Sequence, residues 1–170
     1  GGLASLATIS IVPSRVLGLN GQTAPSNQLT RAILGCGGIS NSHLGMPGKI
    51  LALCDVDSNR LKGQMAKVQG RGNKDVKGYH DFRDVIARDD VDIIHTCTPP
   101  HWHAHMAIAA AQAGKAIWGE KPMSRTIGEG MAMKKEIEKA GVAFRINTWF
   151  RFKSNFYGSG VTARQVKKAV

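Results

Sequence analysis

The stretch that decides the fold is Leu29-Thr30-Arg31-Ala32-Ile33-Leu34-Gly35-Cys36-Gly37-Gly38-Ile39-Ser40. Its first half, residues 29–34, predicts a short strand that ends at Gly35. Its second half matches the pattern G-x-G-x-x-[G/A], except that Ser40 stands at the last small position. Residues 40–46 can continue as a short helix, which Pro47-Gly48 would stop. A strand, a glycine-rich turn and a helix in this order typically open a doubly wound parallel sheet.

The rest of the chain alternates between predicted strands and helices. Further strands are predicted over residues 50–54, 76–79, 91–97, 115–119 and 142–147. Helices are predicted over residues 58–68, from residue 82, and over residues 103–113 and 126–140, with Ser58, Asp81 and the capping box Thr126-x-x-Glu129 at their starts. Because such alternation with right-handed crossovers makes a parallel sheet, the predicted fold class is α/β with a doubly wound parallel sheet.

Composition narrows the classes of function. The 170 residues suffice for one domain with a core, and the net charge of +11 invites a nucleic-acid partner. The basic residues are scattered and aromatic residues make up only 6%, so we predict no nucleic-acid partner. The sequence has no run of 18 apolar residues, so no membrane-spanning helix is predicted. The three cysteines, Cys36, Cys54 and Cys97, each end an apolar run, which indicates buried thiols rather than a disulfide framework or a zinc site.

Residues 1–28 have a different character from the rest. The segment up to Val12 is small and apolar, and a polar stretch follows it. We interpret this as the remnant of an export signal whose charged start is missing, with a disordered leader as the alternative. Export to the periplasm is therefore expected, and a cytoplasmic location is the alternative.

The glycine-rich turn predicts a dinucleotide site. Gly35 permits the tight turn and Gly37 lets the backbone approach a pyrophosphate. The amides that would face this anion belong to the same turn and include those of Cys36, Gly38, Ile39 and Ser40. Asp55 follows the second strand, 20 residues after Gly35, where a carboxylate can accept from ribose hydroxyls. Asp55 favours NAD because it would repel a 2′-phosphate, whereas Arg60 keeps NADP open. An empty glycine-rich turn is the alternative.

Two further segments should meet at the carboxyl edge of the sheet, where ligands of such folds bind. They are Thr98-Pro99-Pro100-His101-Trp102-His103 and Glu120-Lys121-Pro122. Lys121 can serve as a general acid-base, or it can pair with Glu120 and only support the loop. His101, His103 and His105 are spaced by two residues, so their side chains would point the same way only on a strand. Because this segment is predicted to turn into a helix, no metal site is predicted.

The segments GCGGIS, ALCDVD, TCTPPHWHAHMAIAAAQAGK and EKP together resemble the Gfo/Idh/MocA oxidoreductases, named for glucose-fructose oxidoreductase and inositol dehydrogenase. The likeness runs from Leu29 to Phe152. It implies a Rossmann NAD(P)-binding domain over residues 29–150. A larger sheet domain would follow, with residues 151–170 only its beginning, so the chain is expected to be cut short.

The resemblance also implies roles for single residues. Lys121 is carried over as the catalytic residue, with His103 assigned beside it. The cofactor contacts implied outside the glycine-rich turn are Asp55, Arg60, Thr98, Pro99, His101, Glu120, Lys121 and Asn147. Pro100 stands where many members have Asn. The implied activity is NAD(P)-dependent oxidation of a sugar or polyol derivative by a protein that forms a homo-oligomer. A redox-neutral NAD-dependent glycosidase and a non-catalytic nucleotide-binding module are the alternatives.

Overall fold

The computed structural model describes Ala24 and residues 27–148. Its strands are β1 (Thr30–Leu34), β2 (Lys49–Cys54), β3 (Lys77–Tyr79), β4 (Ile93–Thr96), β5 (Ala116–Glu120) and β6 (Phe144–Asn147). Its α-helices are α1 (Ser40–His43), α2 (Ser58–Gly70), α3 (Phe82–Ile86), α4 (His103–Gln112) and α5 (Ile127–Ala140), and a 3₁₀ turn (Pro100–Trp102) precedes α4. Nearly all of the predicted leader and all of residues 151–170 lie outside the described residues, so the predicted domain boundaries stay predictions.

The six strands form one parallel sheet in the order β3-β2-β1-β4-β5-β6. This order confirms the predicted doubly wound fold. The strand order reverses between β1 and β4, and ligands of open α/β sheets bind at the carboxyl ends of the strands beside that reversal. The glycine-rich turn follows β1 and the Thr98-Pro99-Pro100 segment follows β4, so both lie at this edge.

Strand alternation places successive side chains of β1 on opposite faces of the sheet. Ala32 and Leu34 pack with α4 and α5, whereas Ile33 belongs to the cluster on the other face, which includes Leu44 and residues of α2. Helix α4 presents mainly alanines to the sheet, and these small side chains let its backbone approach closely. Within the described part of the chain, no helix is long and apolar enough to cross a bilayer.

Of the three helix caps predicted from the sequence, two are observed and one is not. Asp81 caps α3, and Thr126 and Glu129 form the predicted capping box of α5. The predicted cap Ser58 is wrong, because Ser58 is already the first helical residue of α2. Asp57 is the cap instead: its backbone is extended and its carboxylate accepts from the amides of Asn59 and Arg60.

Helix α1 is much shorter than predicted, and the buried Arg31 compensates for its missing turns. Its guanidinium donates to the carbonyl oxygens of His43 (2.6 Å), Leu44 (3.4 Å), Met46 (2.6 Å) and Gly48 (3.0 Å). A helix end leaves its last carbonyls without intrahelical partners, and here a strand side chain satisfies them. Burial lowers the pKa of Arg31 from its ordinary value.

Candidate dinucleotide site and active-site edge

The glycine-rich turn combines a glycine required by the fold with two that leave space. Gly35 has φ +94°, and a Cβ on it would lie 2.7 Å from the carbonyl carbon of Cys97. At Gly37 the nearest atom to such a Cβ is the Arg60 Nη1, 3.9 Å away, and at Gly38 nothing lies within 4 Å. Side chains at these two positions would therefore meet a ligand rather than the protein.

A cavity of about 660 Å³ opens beside the turn, a size typical of small-molecule sites. The predicted site residues that line it are Gly35, Gly37, Gly38, Ile39, Asp55, Arg60, Thr98, Pro99 and His101. Most of them lie just beyond the carboxyl ends of β1, β2 and β4, and Arg60 lies on α2. The structure thus brings together most of the residues predicted for the dinucleotide, at the predicted edge of the sheet.

Asp55 is held rigidly at the cavity wall. Its Oδ2 accepts from the amide of Cys36 at 2.7 Å, and its Oδ1 accepts from the amide of Asp57 at 2.9 Å. A carboxylate has about four acceptor sites, so each oxygen keeps one for a ribose hydroxyl. The Asp55 carboxylate is therefore oriented before any ligand binds. Arg60 lies on α2 and is largely exposed, with its Nε 3.5 Å from Asp57 Oδ2.

The cavity also has apolar walls that were not predicted from the sequence. Phe82 and Trp102 meet edge to face with ring centroids 6.0 Å apart, and Trp102 is 42% exposed. Val56 and Met106 line the same cavity. Phe82 closely follows β3 and Trp102 follows β4. Their positions just after strand ends could have predicted that they line the site.

Comparison with known proteins decides the family. The family model described as "Oxidoreductase family, NAD-binding Rossmann fold" (Gfo/Idh/MocA) matches residues 29–148. The chain belongs to the Gfo/Idh/MocA oxidoreductase family. This match covers the whole sheet and every site residue predicted above.

Relatives within the family include several that act on sugars or polyols by name. The D-apiose dehydrogenase of Paraburkholderia graminis is 29% identical over 86% of this chain and 39% of its own length. A glycosyl hydrolase family 109 protein of Solibacter usitatus is 32% identical over 75% of this chain and 33% of its own length. The chain therefore spans well under half the length of these curated relatives.

Solved structures of dehydrogenases also superpose on this chain over part of their own length. The myo-inositol 2-dehydrogenase of Lactobacillus plantarum superposes with a TM-score of 0.66 at 25% identity, over 75% of this chain and 38% of that one. The WlbA dehydrogenase of Bordetella pertussis, solved in complex with NADH and UDP-GlcNAcA, superposes with a TM-score of 0.67 at 25% identity. It covers 75% of this chain and 37% of that one.

Two predicted site residues of this Gfo/Idh/MocA chain have other uses. The Ser40 hydroxyl donates to the Gly37 carbonyl at 2.6 Å and accepts from Gln64 Nε2 at 2.9 Å, so it is buried away from the cavity. His103 is also buried. Its Nδ1 lies 2.7 Å from the Pro122 carbonyl oxygen and its Nε2 lies 2.8 Å from that of Thr98. The His103 side chain therefore joins the two edge turns, and its predicted catalytic role stays a prediction.

Glu120 and Asn147 are likewise buried beneath the edge rather than in the cavity. Glu120 Oε1 accepts from His43 Nε2 at 2.7 Å and also from Asn147 Nδ2. Glu120 Oε2 is buried and has no hydrogen-bond partner among the described residues. Glu120 therefore pairs with His43 and not with Lys121, and the Lys121 side chain is exposed at the end of β5. The Lys121–Pro122 peptide bond is cis.

The buried polar cluster continues from His43 to His95 on β4. Their Nδ1 atoms are 2.8 Å apart. Burial, the largest cause, lowers the pKa of His43, although the Glu120 carboxylate opposes the shift. Burial, His43 and Arg31 together lower the pKa of His95 to about 3. With both rings neutral and Glu120 accepting from His43 Nε2, the Nδ1 of His43 accepts from the Nδ1–H of His95.

All three cysteines are buried, which confirms the prediction of buried thiols, and none of them is in a disulfide. Burial, with Asp55 as a second cause, raises the pKa of Cys36 and of Cys54 to about 12. These thiols are therefore protonated and unreactive. Over residues 27–148 and Ala24, no group of three or more His, Cys, Asp or Glu side chains is arranged to hold a metal ion.

Proposed function

We propose that this chain provides the nucleotide-binding part of an NAD(P)-dependent oxidoreductase that acts on a sugar or polyol derivative. The observation that carries the proposal is the cavity at the strand-order reversal, where open glycine backbone lies beside the fixed Asp55 carboxylate. Family membership and the sugar- and polyol-specific names of the relatives support it.

The residues present fit a dinucleotide. The amides of Gly37 and Gly38 would hold the pyrophosphate, because neither position carries a side chain that blocks the approach. The free acceptor sites of Asp55 would bind the adenosine ribose hydroxyls and disfavour a 2′-phosphate, so NAD is the proposed cofactor. The apolar wall of Phe82 and Trp102 would contact the adenine.

Chemistry would take place where β4 and β5 end. When bound, nicotinamide would supply the hydride acceptor for the substrate carbon, and the hydroxyl proton would be left for a residue of the chain to remove. Lys121 is the exposed amine at this edge, and we assign it the removal of that proton. His103 holds the turn that carries Lys121 against the Thr98 segment through its contacts with Pro122 and Thr98.

Calorimetry with NAD, NADP and ADP on the 170-residue chain tests the binding part of the proposal. We expect NAD and ADP to bind and NADP to bind more weakly, and absence of NAD binding would overturn the proposal. The chain alone should show negligible dehydrogenase activity. In the full-length protein, a sugar panel followed at the nicotinamide absorbance should give turnover that Lys121→Met abolishes while NAD binding is retained. Binding without turnover on any sugar would favour the non-catalytic module.

A redox-neutral glycosidase is the second candidate, and the likeness to the Solibacter glycosyl hydrolase family 109 protein favours it. Such an enzyme would keep its cofactor bound and recycle it within each turnover, which would also suit the predicted export. Mass spectrometry of nucleotide released from the purified full-length protein separates the candidates. Retained NAD with glycoside cleavage and no net NADH would support the glycosidase, whereas a protein purified without nucleotide would count against it.

A further inference from the structure

His43 lies between the two turns that form the edge of the site. It ends α1, the short helix that directly follows the glycine-rich turn. Its Nε2 donates to Glu120, which is 77 residues further along the chain and directly precedes Lys121. One buried imidazole therefore connects the segment that would hold the pyrophosphate with the turn that carries Lys121.

The imidazole is held on several sides, so it cannot turn away from Glu120. Arg31 Nη1 donates to the backbone carbonyl of His43 at 2.6 Å, which fixes the end of α1. His95 contacts the opposite ring nitrogen at 2.8 Å and stacks in turn on Trp118, with ring planes 12° apart. Asn147 Nδ2 donates to the same Glu120 oxygen, Oε1, that accepts from His43. A displacement of α1 therefore moves the Glu120 carboxylate with it.

We propose that His43 is a positioning residue that couples the glycine-rich turn to the Glu120-Lys121-Pro122 turn. A pyrophosphate on the amides of the glycine-rich turn restrains residues 37–43, and the bond from His43 to Glu120 transmits this restraint to Lys121. The restraint that the nucleotide imposes thereby reaches the segment that carries the Lys121 amine. The proposal rests on the nucleotide binding proposed above.

ADP is the probe for this coupling, because it carries the adenosine and pyrophosphate but no nicotinamide to contact the Lys121 turn. Hydrogen exchange of the 170-residue chain is followed by mass spectrometry for peptides that cover residues 118–124, with and without saturating ADP. In the wild-type chain, we expect ADP to slow exchange in this segment by about tenfold, because a restraint on residues 37–43 makes local opening of the connected turn rarer.

Variants at residue 43 separate coupling from general packing. His43→Phe fills the same buried space without a donor, and we expect it to bind ADP with affinity within about twofold of wild type but to lose the ADP effect on residues 118–124. His43→Gln retains an amide donor for Glu120 and should restore the effect. Ser42→Ala, at an exposed position on the same helix, is the matched control and should behave as wild type.

The outcomes distinguish this inference from the proposed function. If the wild-type chain fails to bind ADP by calorimetry, the proposed function fails. If ADP binds but leaves exchange of residues 118–124 unchanged, the coupling is refuted and the binding proposal stands. Retention of the ADP effect in His43→Phe also refutes it. Should His43→Phe fail to fold, unchanged exchange of residues 118–124 in the wild-type chain, or loss of the ADP effect in His43→Gln, would still refute the coupling.

Discussion

The backbone of Gly35 packs directly on that of Cys97: a Cβ added to Gly35 would lie 2.7 Å from the Cys97 carbonyl carbon and 2.8 Å from its oxygen. The contact joins the end of β1 to the end of β4, the two strands on either side of the strand-order reversal. The floor of the cavity is therefore formed by backbone against backbone, and it tolerates no side chain at residue 35.

Gly35→Ala should lower the free energy of unfolding by about 2–4 kcal/mol, because left-handed strain adds to the backbone clash. Gly38→Ala is the matched control, since nothing lies within 4 Å of its added Cβ. Its stability should stay within about 0.5 kcal/mol of wild type. Urea denaturation of the three chains measures both values, and equal stability of Gly35→Ala and Gly38→Ala would contradict the prediction.

Gly37→Ala should separate ligand binding from folding. The added methyl group would have its nearest protein atom 3.9 Å away, so the free energy of unfolding should not change. The same methyl group would stand where the pyrophosphate approaches, and the affinity for ADP should fall by about tenfold or more. Calorimetry checks the affinity, and ADP binding as tight as in wild type would remove Gly37 from the site.

Asp55→Asn should alter the choice between NAD and NADP. The amide oxygen of Asn can still accept from one backbone amide, whereas the negative charge that repels a 2′-phosphate is gone. We expect the ratio of NADP to NAD affinity to rise by about tenfold or more. Asp55→Ala should in addition weaken NAD binding several-fold. An unchanged ratio in Asp55→Asn, measured by calorimetry, would show that another group sets the preference.

The buried His95 predicts a pH dependence of stability. Its pKa is about 3 in the folded chain and 6.5 ordinarily, so between these values the unfolded chain binds more protons. Its contribution to stability is complete above pH 6.5 and is lost as the pH falls toward 3. From pH 7 to pH 5 the loss should be about 2 kcal/mol, because each pKa unit corresponds to about 1.4 kcal/mol.

His95→Phe tests this assignment, because it removes the titrating ring and leaves an aromatic ring against Trp118. Urea denaturation at pH 7 and pH 5 should show a smaller difference in the variant than in wild type. The lowered pKa of His43 acts in the same direction, so some pH dependence should remain. Equal differences in the two chains would mean that other groups cause the loss.

Sequence reasoning succeeded where the deciding interaction is local. The capping box of Thr126 and Glu129 spans four residues, and the spacing from Gly35 to Asp55 is set by one strand-helix-strand unit. Both follow from short patterns with a known backbone geometry. The prediction of a doubly wound parallel sheet required only the alternation of elements.

The sequence does not show which distant partner a side chain contacts. The two ring nitrogens of His103 face carbonyl oxygens of turns that meet only in the folded chain. Glu120 adjoins Lys121 in sequence, yet its Oε1 accepts from His43 at the end of α1. Neither partner can be read from spacing, because the sheet brings the segments together.

Arg31 carries a wider consequence for how this crossover can vary. Its guanidinium stands in for a turn of helix that the short α1 does not make. The identity of residue 31 and the length of the segment 44–48 therefore depend on each other. A homologous chain with a further helical turn in that segment would satisfy its own carbonyls, and it would have no need of a buried cation in its first strand.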